Sequence, residues 1–176
     1  EPGVKTIGNS AFENCRNVTA VQLGEGITSI GNDAFHGCSG LSGDLVLPDS
    51  ITSLGTSAFA DCSGLTGSLH LPQLLTELGK DCFRNCSGIT GTLRIPDGVT
   101  YLPEGAFASM QGLTDLIVGS GVESCYFDSG SRNTNVFYDT DFTTVTLLGT
   151  YTFFPSFYTL MNPDTVYVAG GQYAQL

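Results

Sequence analysis

Ile30-Gly31-Asn32-Asp33-Ala34-Phe35-His36-Gly37-Cys38 is a near copy of Ile7-Gly8-Asn9-Ser10-Ala11-Phe12-Glu13-Asn14-Cys15. Three further copies follow: Leu54-Gly55 with Ala58-Phe59 and Cys62, Leu78-Gly79 with Cys82-Phe83 and Cys86, and Leu102-Pro103 with Ala106-Phe107 and Met110. The phenylalanines at 12, 35, 59, 83 and 107 are 23, 24, 24 and 24 residues apart. A fixed period of this length marks a stacked repeat. One unit cannot bury its apolar face alone, and its neighbour buries it instead.

Each unit also carries an alternating triplet: Val21-Gln22-Leu23, Leu45-Val46-Leu47, Leu69-His70-Leu71, Leu93-Arg94-Ile95 and Leu116-Ile117-Val118. The outer residues are apolar and the middle one varies, the period-2 pattern of a half-buried strand. Pro48, Pro72 and Pro96 follow three of the triplets directly. Having no N–H to donate, they keep the strands short. An apolar corner pair comes next in each unit: Ile27/Ile30, Ile51/Leu54, Leu75/Leu78, Val99/Leu102 and Val122/Cys125. The spacing of Ala-Phe-x-x-Cys-x-x-Leu predicts one or two turns of helix that return the chain. Stacked coils place like residues about 4.8 Å apart in a parallel ladder, with the phenylalanines as an internal spine.

The pattern Leu-x-x-Ile-Gly-x-x-Ala-Phe-x-x-Cys-x-x-Leu-x-x-x-Leu-x-Leu-Pro closely resembles the BspA-like leucine-rich repeats, which occur in surface proteins of bacteria and some protists. The resemblance covers Val4 to about Cys125. It implies an α/β repeat solenoid: a right-handed coil with a parallel ladder of short strands on one face and short helical or 3-10 turns on the other. Residues 1–125 are read as five regular repeats, and 126–176 as irregular repeats with a C-terminal capping unit, in one continuous solenoid.

Thr144-Val145-Thr146-Leu147 and Thr165-Val166-Tyr167-Val168 read as sixth and seventh strands. The segment Asp128 to Asp141 reads as an enlarged turn on one edge. Phe153, Phe154, Phe157 and Tyr158 are expected to close the core, because the end of a solenoid exposes strand edges and must be covered. The closing Val166 to Tyr173 resembles the terminal unit of bacterial members.

Bulk properties exclude several classes. Six Lys and Arg face seventeen Asp and Glu, a formal net charge of −11, which repels polyphosphate and argues against nucleic acid and anionic membrane surfaces. No apolar run reaches the roughly 18 residues of a membrane span. Glu1-Pro2-Gly3 shows no basic or apolar signal region. With its first residues already inside a repeat, the chain reads as a mature fragment of a longer protein.

Few residues offer chemistry. Cys15, Cys38, Cys62 and Cys86 recur once per repeat, while Cys82 takes an Ala slot and Cys125 ends a corner. Stacking brings neighbouring cysteines within disulfide range, and an oxidising surface location would permit the bond. The favoured reading is a small apolar side chain filling one inward slot per coil, as Met110 does. Zinc would want close Cys pairs. His36 falls on the outer surface and His70 mid-triplet, neither placed as a base against a nucleophile. No enzyme activity and no cofactor are therefore expected. Asp128, Ser129, Ser131, Asp139 and Asp141 hold enough oxygen for a loose calcium site without EF-hand spacing. Solvated turn residues are the plainer reading. Asn17-Val18-Thr19 and Asn85-Cys86-Ser87 match the glycosylation tripeptide, a pattern common by chance.

What remains is the outward column Gln22, Val46, His70, Arg94, Ile117, Thr146 and Tyr167. Across six gaps of about 4.8 Å it would run about 29 Å. Ala20, Asp44, Ser68, Thr92, Asp115, Thr144 and Thr165 flank it. Curved solenoids bind partners on such faces, and Arg and Tyr are common anchors. The expected binding residues are Gln22, His70, Arg94, Ile117 and Tyr167. The resemblance implies a monomeric, extracellular adhesion module, on the cell surface or secreted, engaging host or matrix proteins such as fibronectin and fibrinogen, or glycans. A structural spacer displaying another domain, and an enzyme or a glycan or calcium-dependent binder using residues 128–141, are the competing readings.

Overall fold

Each repeat closes into one coil made of a two-residue corner strand, a Phe-centred turn and the triplet. The computed structural model describes residues 3–126, 135–149 and 163–168; Phe153, Phe154, Phe157, Tyr158 and the unit from Ala169 onward lie outside them. Corner strands β1 (Thr6–Ile7), β2 (Ser29–Ile30), β3 (Ser53–Leu54) and β4 (Glu77–Leu78) pair in parallel and in order. On the triplet side, β5 (Thr90–Ile95), β7 (Gly112–Val118), β9 (Thr144–Leu147) and β10 (Thr165–Val168) form a second parallel sheet. β6 (Tyr101–Leu102) pairs with β8 (Ser124–Cys125). We number the coils by their corners, so β1 opens coil 1 and β8 opens coil 6.

The phenylalanine spine is present and extends one coil beyond the five phenylalanines of the repeat motif. Rings at 12, 35, 59 and 83 stack with centroids 5.1, 5.1 and 5.6 Å apart, Phe107 follows at 5.8 Å, and Phe137 stacks on Phe107 at 5.7 Å. Asn135 to Phe142 is therefore a sixth Phe-centred turn that joins the stack: Val136, Phe137 and Phe142 are buried, while Tyr138, Asp139 and Asp141 are exposed. Thr140 takes the cysteine slot, its hydroxyl donating to the Phe107 carbonyl at 3.0 Å. Residues 127–134, the rest of the expected edge turn, lie outside the described residues.

The expected helical or 3-10 face is corrected. Among the described residues there is no helix, and the Phe segments are tight turns. Left-handed residues flank each phenylalanine from Phe12 to Phe107 by two positions, as Ser57 (φ 52) and Asp61 (φ 60) do around Phe59. Short polar side chains tolerate that conformation better than most. Alternating handedness turns every second N–H along the stack: Ser57, Phe59 and Asp61 donate to the carbonyls of Lys80, Cys82 and Arg84 in the next coil at 2.8, 2.9 and 2.8 Å. An α-helix needs those same N–H groups for its own i−4 carbonyls. The next coil takes them instead.

The strand expectation holds only in part. Triplets at 93–95 and 116–118 lie in β5 and β7, but those at 21–23, 45–47 and 69–71 are not paired strands. In the first four coils the ladder runs along the corner, where Gly31 and Gly55 donate to the carbonyls of Ile7 and Ile30 at 2.8 Å. Coil 5 has Pro103 in that place, with no N–H to give. The corner sheet stops at β4 and resumes at β6–β8, where Tyr126 again donates to Leu102 at 2.7 Å. On the triplet side, coils 2, 3 and 4 each carry a left-handed glycine just before the triplet: Gly43, Gly67 and Gly91. Coil 5 lacks that residue, β7 runs on for seven residues, and the ladder closes there with a register shift at Gly91/Thr92. Coil 1 also lacks the glycine, yet its triplet stays open.

Close approach explains other glycines. A Cβ at Gly79 would run into the backbone of Gly55 in the coil before, so no larger residue fits that column there.

Candidate functional site

The triplet face carries two outward columns because alternate side chains of a strand point to opposite sides. Arg94, Ile117, Thr146 and Tyr167 are direct neighbours in register across four paired strands. Thr92, Asp115, Thr144 and Thr165 form the flanking column in the same register. Tyr167 is 52% exposed and Arg94 is exposed, while Ile117 is half-buried. Three of the five expected binding residues, Arg94, Ile117 and Tyr167, thus share one rigid ladder. Gln22 and His70 are exposed on the open part of the face and belong to no ladder.

Where the ladder is open, the face is not flat. A groove of about 460 Å³ lies between the triplets of coils 2 and 3, lined by Asp44, Leu45, Val46 and Leu47 on one side and by Gly67, Ser68 and His70 on the other. Val46 is 72% exposed at its side. Alternation in the sequence marks Val46 and His70 as outward. The groove itself depends on the missing ladder, for which the only sequence signal is the glycine before each triplet.

Charges at the edge of the face are ordered by the stack. Asp97 Oδ1 accepts the Ser120 N–H at 2.7 Å and the Ser120 hydroxyl at 3.1 Å. These bonds, with Arg94 nearby, hold its carboxyl below the usual range. Thr114 donates its hydroxyl to Asp115 at 2.7 Å.

The other candidates are accounted for differently. His36 is partly buried on the turn face, its Nε2 3.1 Å from Asp61 Oδ2 and its Nδ1 3.8 Å from Glu13 Oε1. Asn85 donates to the other Asp61 oxygen at 2.6 Å. Both ring nitrogens face carboxylates, and neither partner is a nucleophile. The cysteine slot is a hydrogen-bonding position: Cys38, Cys62 and Cys86 thiols donate to the carbonyls of Phe12, Phe35 and Phe59 in the preceding coil at 3.0, 3.1 and 3.1 Å. Thr140 fits that slot for the same reason, and Met110 fills it without donating. All six cysteines are free thiols. Burial pushes Cys38, Cys82, Cys86 and Cys125 up and Cys62 to about 12, which keeps them protonated and unreactive.

Among the described residues no group of three or more His, Cys, Asp or Glu is placed to hold a metal. Asp139 accepts an amide N–H from Gln111 at 2.8 Å, while Asp128, Ser129 and Ser131 lie outside the described residues. No helix among them is long and apolar enough to cross a membrane.

Parallel coils stacked on a phenylalanine spine, with one variable outward column, define a leucine-rich-repeat solenoid. The chain belongs to the BspA-type leucine-rich-repeat family, whose model matches six copies over residues 2–114 and 41–159. The leucine-rich-repeat protein of T. pallidum has the same fold over 82% of this chain, with a TM-score of 0.61 and 22% identity. The chain spans 66% of that protein's length. A leucine-rich cell surface protein from Faecalibacterium prausnitzii is 19% identical over 98% of this chain and 72% of its own, with a TM-score of 0.37. A Bacteroides ovatus leucine-rich-repeat protein is 18% identical over 94% of this chain and 64% of its own, at 0.36. No curated protein matches the sequence.

Proposed function

We propose that this solenoid is a non-enzymatic adhesion module of a cell-surface or secreted protein, engaging a host or matrix protein through its triplet face. The observation that carries the reading is the in-register row Arg94, Ile117, Thr146 and Tyr167. It sets a cation, an aliphatic, a hydroxyl and an aromatic side by side on a rigid sheet, with the Arg and Tyr that anchor protein interfaces at its ends. Backbone groups there are committed to the ladder, so the row presents side chains in fixed positions and loses little entropy on binding. Family membership points the same way, since BspA-type repeats resemble surface adhesins.

The test is an array of extracellular-matrix proteins, mucins and glycans probed with the protein at physiological salt. A saturable hit should weaken at least about tenfold in an Arg94→Ala/Tyr167→Ala double variant, the size expected when interface anchors are truncated. A hit indifferent to both substitutions would remove the triplet face as the site. Silence across the array would favour a spacer role.

A further inference from the structure

The open part of the triplet face differs from the closed part in its backbone. Among the described residues, no backbone N–H or C=O from Leu45 to Leu47, or from Leu69 to Leu71, has a hydrogen-bond partner. Main-chain polar groups left this way at the edge of a core have to be met by something else. The groove that runs between these two triplets has Asp44 at its rim, and its 460 Å³ is within the roughly 300–1,000 Å³ of small-ligand sites.

We propose that this groove receives an arginine side chain of a basic, extended partner segment, with Asp44 as its counter-ion. The inference rests on the triplet-face reading and narrows it to one pocket and one partner chemistry. A guanidinium is flat and weakly hydrated and carries five N–H donors. Asp44 offers two carboxylate oxygens and the open triplets offer unpaired carbonyls. No Phe or Tyr ring lines the groove for a sugar to stack on, and of its apolar side chains Leu45 and Leu47 are buried, which leaves Val46 as the exposed one beside the Asp44 carboxylate. Charge complementarity favours the same occupant. The protein carries a net charge of −11, and Asp49 and Asp97 come just after the prolines that end the triplets of coils 2 and 4. Arg94 is the single Lys or Arg in the two outward columns and already lies near Asp97. A cationic segment is therefore steered toward this face.

The probe is a fluorescein-labelled octa-arginine peptide, followed by anisotropy at physiological salt. Binding should be saturable and should weaken about tenfold in Asp44→Asn, the scale of losing a paired charge. Asp33→Asn on the turn face removes the same charge and should change binding less than about twofold, as for a screened, distant carboxylate. Octa-lysine should bind more weakly, lacking the planar fork. No saturable binding, equal losses in the two Asp variants, or octa-lysine binding as tightly as octa-arginine would each overturn the proposal. The asparagine is isosteric at an exposed site, and an unchanged melting temperature verifies its fold. The matrix array distinguishes the two failures. A hit lost in the Arg94/Tyr167 variant, with octa-arginine inert, sinks the groove alone; hits indifferent to Arg94 and Tyr167 sink the triplet-face reading itself.

Discussion

Coils 1 to 4 and coils 4 to 7 are built from the same repeat yet are joined along different lines. The first group is tied at the corner and open at the triplets; the second is tied at the triplets, with its corner sheet interrupted at coil 5. Coil 4 carries both β4 and β5 and hands one sheet over to the other. The phenylalanine spacing widens one coil earlier, from 5.1 Å across coils 1 to 3 to 5.6 Å between coils 3 and 4 and 5.7 to 5.8 Å beyond. A solenoid coil is thus a ring with three places to bond its neighbour: turn, corner and triplet. The turn bonds persist through the first six coils, while Pro103 marks the break in the corner line and the left-handed Gly43 and Gly67 accompany the open triplets of coils 2 and 3. The triplet face inherits the difference, laddered around Arg94 and Ile117, grooved and open around Asp44 and His70.

The largest effect should come from the shared spine. Phe83→Ala should cost about 3–5 kcal/mol in urea unfolding, since the ring is fully buried between two others. Phe12→Ala should cost clearly less, because Phe12 is 42% exposed and stacked on one side only. Equal losses would mean that the spine is not the common element of the two groups.

Next in size is backbone protection. Amides of Leu45 to Leu47 and Leu69 to Leu71 should exchange with solvent deuterium roughly 100-fold faster than those of Leu116 to Val118, a difference of about 2.7 kcal/mol in opening. Matching protection would show the first triplets laddered like the later ones and would erase the contrast.

The smallest effect is a pH dependence confined to the cysteine-bearing coils. Burial raises the Cys62 thiol to about 12 from an unfolded value of 9.0. The folded state therefore holds its proton while the unfolded chain gives it up. Stability from this group is complete below pH 9 and falls as pH rises toward 12. Between pH 8 and 10 the protein should lose about 1 kcal/mol more than its Cys62→Ala variant. Parallel pH profiles would show the thiol to be less shielded than its burial indicates.

Much of the fold was legible in the residues. The spine, the Leu and Ile core and the outward column follow from a 24-residue period combined with a period of two. The sixth coil was also written in the chain: Asn135, Phe137, Asp139 and Thr140 repeat the pattern of Ser57, Phe59, Asp61 and Cys62. Its turn is harder to read than the others because the Phe107-to-Phe137 spacing stretches the period to 30 residues, and because Thr140 stands where the earlier coils have Cys or Met. The turn face was misjudged because Ala-Phe-x-x-Cys spacing fits a helix as well as a chain alternating in handedness. The Ser, Asp, Asn and Gly residues two places either side of each Phe carried the deciding signal.

The sequence by itself determined what stacks on what, since apolar periodicity dictates which side chains must leave water together. Tertiary structure alone decided where the coils bond, because a coil has several rows of N–H and C=O groups and local residues do not say which row meets its neighbour. That choice depends on how two whole coils approach one another. It made one half of the outward column a flat ladder and left a groove beside Asp44 in the other.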